Sequence, residues 1–515
     1  MSTRTLLRGA MVADGIGGAI RRADVLTDGP AIASVDIVEP VPPGCEVIDL
    51  APGSVICPGF IDAHAHAEGP LLARGRVDGA LAQGVTTLVV GQDGSSWIGA
   101  SAQTARYLNE YFAPVNGALA PARRLGVAEY GRAVAGRLAQ NVAVLASQGT
   151  IRHNLAGMVQ RPLDRPERAA ARAEVEKALA DGAVGLSSGL DYLPSRFGDV
   201  GEMAELARPL AAAGRPYVSH LRSYGPDVRA GLDELVAVGR AAATAVHASH
   251  LWGPPAEIAS SFRAADAAGV AISYDMYSYR RSSTILAMLL LPSKIQAGGP
   301  ARTLAALTDA RQRAALLADE KFSDEFLRLI VLGCLPAHLA HHAGQVITEA
   351  AARASRQAGQ WVLDLLVDAE LYVGAHLDRP CLTDDALAWL AGNERHCVGS
   401  DGIYQGQHPH PRGHSAFARL AEHYLAAGRA MGYQRLVRHL SANAAEVYGL
   451  RGRGRLAPGM AADICVIGPD GPTGHATYDA PEQIATGVSV VLVNGVVTWR
   501  DGQPVTGHFP GQMIS

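Results

Sequence analysis

His64 and His66 stand one residue apart just past the short apolar run Phe60-Ile61, within Pro58-Gly-Phe-Ile-Asp-Ala-His-Ala-His66. Side chains alternate faces along a strand, so residues i and i+2 point the same way and both imidazoles can reach one point in space. Neutral imidazole is the commonest protein ligand for zinc-like ions. Other polar residues stand just past other apolar runs: Asp93 after Val89-Val-Gly-Gln92, His220 and Arg222 around Ser219, His250 after His247-Ala-Ser, and Asp401 after Gly399-Ser400. Brought together, the histidines His64, His66, His220 and His250 with Asp93 and Asp401 make a nitrogen and oxygen donor set without thiolate. Such a set suits zinc, manganese or iron-type divalent ions. A catalytic ion keeps an open position for water and lowers the water's pKa towards ~7. An aspartate beside it can take the water's proton and pass it to a leaving group; Asp401 is the candidate. Asp93, with two oxygens, can serve both ions of a pair.

A fold must collect these residues from distant parts of the chain. Apolar strands alternate with Ala-rich helical stretches through the middle, the pattern of a parallel α/β fold. The expected strands are Val55–Ile61, Thr86–Val90, Val142–Ala146, Ala183–Leu186, Pro216–Ser219, Ala245–Ser249, Val270–Tyr274 and Cys397–Gly399, with helices at Arg165–Ala180, Met203–Ala213 and Asp227–Ala242. Eight strands predict a (β/α)8 TIM-type barrel, whose active site lies at the C-terminal ends of its strands. The interval from about 280 to 390 is too long for one connection and contains a further strand-like run, Leu329–Gly333, so it reads as an insertion over the barrel mouth. Both ends of the chain carry short strands punctuated by Gly and Pro, and Asn494-Gly495 marks a hairpin. The expected organisation is a discontinuous β-sandwich from residues 1–56 and 451–515 around a barrel at 57–450.

Composition excludes several classes. A net charge of -4 over 515 residues gives no electrostatic case for nucleic acid or an acidic membrane. The six cysteines are scattered without a CxxC pair, which argues for a reducing compartment. No apolar run approaches the ~20 residues needed to span a bilayer, and the start lacks the apolar core of a signal peptide. A cytoplasmic protein is expected, with a small-molecule substrate and a homo-oligomer compatible with everything read here. Ser187 and Ser188 have no neighbouring His-Asp arrangement that would make either a nucleophile, and no GxxxxGK[ST] or GxGxxG stretch supports nucleotide binding.

The motifs resemble the amidohydrolase superfamily in Asp62-Ala-His-Ala-His66, the pair His220 and His250, and Ser400-Asp401-Gly402. Gly185-Leu-Ser-Ser-Gly-Leu-Asp-Tyr192, Ser219-His-Leu-Arg222, Asp275-Met-Tyr277-Ser-Tyr279 and His408-Pro-His-Pro-Arg412-Gly413 narrow the resemblance to the N-acyl-D-amino-acid deacylases, or D-aminoacylases. The resemblance covers nearly the whole chain. It implies a metal-dependent hydrolase of the amide of an N-acyl-D-amino acid, using one or two divalent ions, zinc first. His64, His66 and Asp401 would hold one ion, and His220, His250 and Asp93 the other.

Three positions depart from the family pattern. Asp93 replaces a cysteine of much of the family, Gln148 stands in place of a histidine with Arg152 kept after it, and Trp252 occupies the place of a lysine that takes the substrate's α-carboxylate. Carboxylate is harder than thiolate, which bears on metal preference and number. Arg222 and Arg412 are then the candidates for the carboxylate, because guanidinium pairs with it bidentately. Tyr192 is a candidate to polarise the scissile carbonyl, and Tyr277, Ser283 and Trp252 to line the substrate site. Two other readings follow from the departures: a hydrolase of a cyclic amide, imide or other acyl-amino compound, and a barrel without catalysis that serves as a binding subunit.

Overall fold

The computed structural model describes residues 4–17, 19–119, 125–425 and 432–515, so Met1–Thr3 of the expected terminal unit lie outside it. Eight strands run through the middle of the chain: β1 (Phe60–Asp62), β2 (Val85–Val90), β3 (Asn141–Val144), β4 (Leu186–Gly189), β5 (Tyr217–His220), β6 (Val246–Ala248), β7 (Ile272–Met276) and β8 (His396–Val398). β1 to β3 pair in order and in parallel, as do β4 to β8. The two sets meet at Ala146–Ser147, which pairs with β4, and at Val184 N–H, which donates to Val144 O at 2.9 Å. On the opposite side Ala63 N–H donates to Val398 O at 3.0 Å, and Ala65–His66 pairs with Gly402–Ile403. Because the strands are parallel, their C-terminal ends lie on one side of the molecule.

Local signals explain where the helices between them begin and end. Arg165–Ala180 lies where the sequence predicts it: Asp164 accepts from Glu167 N–H, the Glu167 side chain reaches back to the Asp164 N–H, and proline occupies the first turn. The next helix, Val200–Ala213, begins three residues before the expected Met203, since Asp199 caps it through Glu202 N–H. It stops where Gly214 turns to φ +62°.

Some strand boundaries differ from expectation. The run Val55–Ile61, expected as one strand, is two. Val55–Pro58 pairs with Ile464–Ile467 in the terminal sheet, and β1 pairs with β2. The break falls at Gly59, where a Cβ would stand 2.3 Å from Thr86 Oγ1; only glycine lets the chain cross there. β4 lies three residues later than expected because a hydrophobic criterion stops at Leu186, whereas the strand continues through buried serines. Ser188 Oγ is 2.6 Å from Tyr217 OH and 3.0 Å from Ser219 Oγ, so its hydroxyl is satisfied inside the sheet. β7 begins two residues late, because Val270 N–H still closes the preceding helix on Ala265 O.

The two ends of the chain build one nine-stranded sheet. Its halves join where Val55–Pro58 runs antiparallel to Ile464–Ile467, over a core of Leu7, Val25, Ile56, Ile464 and Leu492. The expected hairpin is present between Val488–Val493 and Val496–Arg500. Asn494 and Gly495 take φ of +46° and +79°, as a two-residue turn of that kind requires. Within the long interval, Ser282–Ile285, Ile330–Cys334 and Gly374–Leu377 form an antiparallel three-stranded sheet. No helix among the described residues is long and apolar enough to cross a membrane.

Candidate metal centre

At or just past the ends of β1, β2, β5, β6 and β8 the chain delivers His64 and His66, Asp93, His220 (the last residue of β5), His250 and Asp401, all buried. Asp93, His250 and Asp401 have positive φ values of 55°, 34° and 50°. That region is sparsely used by residues other than glycine and often marks functional sites. Gly94 explains how Asp93 is held. A Cβ there would lie 2.8 Å from Gly189 N and Ser188 Cα, and Gly94 N–H donates to Ser187 Oγ at 3.1 Å.

Asp93 touches every imidazole of the set. Its Oδ1 is 3.6 Å from both His64 Nε2 and His250 Nε2; its Oδ2 is 3.6 Å from His66 Nε2 and 3.7 Å from His220 Nδ1. Asp401 Oδ1 lies 3.3 Å from His66 Nε2 and 3.7 Å from His64 Nε2. Its Oδ2 pairs with Arg412 Nη1 at 2.8 Å. Two triads have ligand atoms close enough to share an ion: His64, His66, Asp401 and His64, Asp93, His250. His220 Nδ1 stands 3.1 Å from His250 Nε2.

A ring of further groups orients these side chains. His66 Nδ1 is 2.8 Å from Asn116 Oδ1, which directs its Nε2 lone pair inward. Asp275 Oδ2 lies 3.4 Å from His64 Nδ1 and 3.0 Å from His247 Nε2, and Asp275 Oδ1 accepts from His250 N–H at 2.9 Å. Asp62 accepts from His64 N–H at 3.2 Å and Ser400 N–H at 2.8 Å, tying β1 to β8. Burial pushes the Asp62 carboxyl up to about 7, against the pull of its Ser400 bonds.

The donor set fits a divalent cation. Both ring nitrogens of His64 and Oδ1 of Asp93 are buried without a hydrogen-bond partner, an arrangement that is costly unless another ligand engages them. The electrostatics agree. Burial favours neutral His66, yet Asp401 and Asp93 together raise it to about 10. The carboxylates thus draw a positive charge into their midst. A divalent ion supplies it while the imidazoles stay neutral. Burial opposes ionisation of Asp401 too, but Arg412 and the histidines outweigh it and lower that carboxyl to about 2.

The site opens on a cavity of about 570 Å³. Tyr192, Arg222, Trp252, Tyr277 and Ser283 line it. Tyr192 OH is 3.0 Å from Thr284 Oγ1. The two arginines expected to take a carboxylate have other partners. Arg412 does not line the cavity, because its charge is committed to Asp401. Arg222 does line it, but its Nε and Nη2 fork onto Glu234 at 3.0 Å, and its nitrogens also donate to Leu190 O, Arg196 O and Gly198 O. A guanidinium satisfied in the way of Arg222 holds loops.

Arg379 was not among the expected residues. It is buried, lines the cavity, and has no carboxylate within salt-bridge distance among the described residues. Its Nε donates to Arg280 O at 2.7 Å and its Nη2 to Tyr279 O at 2.9 Å. Its guanidinium carbon stands 4.8 Å from the ring centre of Trp252 and 5.6 Å from that of Tyr277. Asn116 was missed as well, and Asp275 was seen only as part of a motif; no local pattern distinguishes such residues from ordinary polar ones.

Comparison with known proteins places this geometry among relatives. The amidohydrolase family matches over residues 342–506. The N-acyl-D-glutamate deacylase of Alcaligenes xylosoxydans xylosoxydans is 31% identical over 99% of this chain and 96% of its own. The D-aminoacylase of the same organism is 30% identical over 99% and 97%. Among solved structures, an N-acyl-D-glutamate deacylase from Bordetella bronchiseptica, complexed with zinc and a phosphonate mimic of the reaction's tetrahedral intermediate, superposes with a TM-score of 0.84 at 27% identity over the whole of both chains. A D-aminoacylase described as having a binuclear metal centre gives 0.81 at 26% identity over 99% of each.

Proposed function

We infer the function from a premise that spans the chain: it belongs to the N-acyl-D-amino-acid deacylase (D-aminoacylase) family of amidohydrolases. On this reading it is a metal-dependent hydrolase that cleaves the amide of an N-acyl-D-amino acid to a carboxylic acid and a free D-amino acid. The observation that carries it is the convergence of four histidines and two aspartates, from five strand ends, on one buried point beside a cavity. The eight parallel strands, joined side to side by hydrogen bonds, are read as a (β/α)8 barrel over residues 57–450. The nine-stranded sheet is read as the sandwich of 1–56 and 451–515, and the segment from about 280 to 390 as the cover of the mouth. Chemistry at the C-terminal ends of the strands is the rule for such a barrel.

His64, His66 and Asp401 would hold one ion, and Asp93, His220 and His250 a second, zinc being the metal named for the related structure from Bordetella bronchiseptica. When bound, such an ion lowers the pKa of water and polarises a carbonyl oxygen. The protein's own groups do the rest. Asp401, kept ionised by Arg412, takes the proton of the attacking water and returns it to the departing nitrogen. Tyr192 lies on the cavity wall, where its hydroxyl can donate to the carbonyl oxygen as negative charge develops there. Arg379 carries the cation that the chain lacks at Trp252, and with Tyr277 and Ser283 it holds the substrate carboxylate. Trp252 and Tyr277 flank the Arg379 guanidinium and fix its plane.

The second reading, hydrolysis of a cyclic amide or imide, draws on Trp252 in place of the family lysine. One experiment separates the two. Zinc-loaded protein is assayed against N-acetyl-D-amino acids, their L enantiomers and a hydantoin, with release of the free amino group measured for the acyl-amino acids and ring opening to the N-carbamoyl amino acid measured for the hydantoin. Cleavage of the D compounds and not the L compounds is expected. Activity confined to the hydantoin would replace this reading with the second.

A further inference from the structure

His66 faces both carboxylates of the centre, its Nε2 lying 3.6 Å from Asp93 Oδ2 and 3.3 Å from Asp401 Oδ1. A neutral ring offers a lone pair at that nitrogen only if its N–H is on Nδ1. Nδ1 faces Asn116 Oδ1 at 2.8 Å, and the other end of that amide decides the matter. Asn116 Nδ2 donates to Ser95 O at 2.5 Å. A carbonyl oxygen only accepts, so the amide is fixed with its nitrogen towards Ser95 and its oxygen towards His66. The ring must then donate from Nδ1, and Nε2 is left as the acceptor that an ion requires.

Ser95 is two residues beyond Asp93, on the same turn. The ends of that turn have anchors of their own. Glu68 Oε1 accepts from Gly91 N–H and from Ser96 Oγ, each at 3.0 Å, and Thr150 Oγ1 donates to Ser96 O at 2.6 Å. None of these three bonds reaches a ligand imidazole, whereas Asn116 bonds to one and to the turn at once. Its own place is firm. It is buried at the end of the short helix Ala113–Asn116, its N–H donates to Phe112 O at 3.2 Å, and Gly117 N–H donates to Ala113 O at 2.9 Å. The helix that follows His66 abuts it, since a Cβ at Gly69 would stand 3.2 Å from Asn116 O. A displaced amide would be felt at His66 and at Asp93 together.

We propose that Asn116 is a positioning residue that ties the two ion positions to each other. By one amide it sets the tautomer of His66, a ligand of the first ion, and the place of the turn that carries Asp93, a ligand of the second. The inference rests on the two-ion reading above and adds the group that makes the positions interdependent. Its test is zinc affinity rather than turnover. Metal-free wild-type protein, Asn116→Leu and Asn116→Asp are titrated with zinc against a competing chelator, with the Tm of each metal-free protein measured alongside. Leucine keeps much of the volume and removes both bonds, so both zinc dissociation constants should rise by about 10- to 100-fold. Asn116→Ala, which leaves a cavity rather than new packing, should show the same pattern and serves if leucine is not accommodated. Aspartate keeps an oxygen towards His66 Nδ1, so in Asn116→Asp one of the two constants should lie within a few-fold of wild type. A role in packing alone predicts no such rescue. Wild-type affinities in the leucine and alanine variants, a loss confined to one ion, or failure of aspartate to restore either constant would overturn the proposal. Wild-type protein that binds fewer than two zinc ions would instead remove the two-ion reading and the inference with it, leaving the deacylase reading to the amide assay.

Discussion

Asp401 stands between His66 on one side and Arg412 on the other, and its two oxygens divide the work: Oδ1 faces the histidines while Oδ2 is fixed at 2.8 Å from Arg412. Replacing it with asparagine keeps the shape and removes the proton acceptor. Asp401→Asn should reduce kcat by about 10³-fold or more, with bound zinc measured alongside; near-normal turnover at full metal content would take Asp401 out of the reaction. Arg379 predicts a different kinetic pattern. Its removal takes away a charge-assisted hydrogen bond to a group that does not react, so Arg379→Met should raise KM by roughly 10- to 100-fold and leave kcat within a few-fold. An unchanged KM would show that the carboxylate sits elsewhere. The contrast between these residues also shows what could be read from the chain alone. His64, His66, Asp93, His220, His250 and Asp401 each follow directly on an apolar run, so their place at strand ends is a local property. Arg379 lies in the long interval, about a hundred residues from the strands it serves. Its value comes from its neighbours Trp252 and Tyr277, which no local pattern records. The pairing of Arg222 was not legible either, since its partner Glu234 is on the helix that follows.

At the scale of elements, the turn after β2 is where the backbone constrains the chemistry most. Asp93 reaches all four histidines only because Gly94, at φ +64°, lets the chain pass against Ser188 and Gly189 of β4. Gly94→Ala would place a methyl group 2.8 Å from that backbone and add the cost of a positive φ. β4 is buried and cannot retreat, so the turn and Asp93 with it must move. The expected outcome is a protein that folds but binds less zinc, losing first the ion that depends on Asp93; metal analysis after dialysis would show it, and a wild-type zinc content would mean the turn is more pliable than its packing suggests. Strand positions were legible wherever apolar residues filled the element, as in β2. They were not where the chain buries polar residues, as at Ser187 and Ser188, or where one glycine splits a run between two sheets, as at Gly59. In both cases the deciding contact, Tyr217 or Thr86, comes from another strand.

At the scale of the whole molecule, the same cluster that would perform the chemistry also bears on stability. Asp93, Asp401 and Asp275 are buried together, and among the described residues Arg412 is the one permanently charged cation in contact with them. Without a divalent ion, the protein must balance these carboxylates by protonating imidazoles such as His66, which burial resists. Because the ligands come from strands as far apart in sequence as β1 and β8, an unfolded chain offers no such site, so metal binding adds to folding stability. At a free zinc concentration 1,000 times the dissociation constant, the gain is about 4 kcal/mol, and chelation should lower Tm by several degrees, reversibly on return of zinc. This measurement also weighs against the reading of a barrel that only binds a partner. Three of that reading's motives, Asp93, Gln148 and Trp252, are replacements of family residues. Yet Gln148 is tied to Glu202 at 3.1 Å, Trp252 packs on Arg379, and Asp93 reaches all four histidines with its carboxylate oxygens. A protein that had given up catalysis would have no reason to keep six buried ligands at the cost of their desolvation. Its Tm should then be indifferent to chelator and to zinc, and that indifference is the result that would return the chain to the binding-subunit reading.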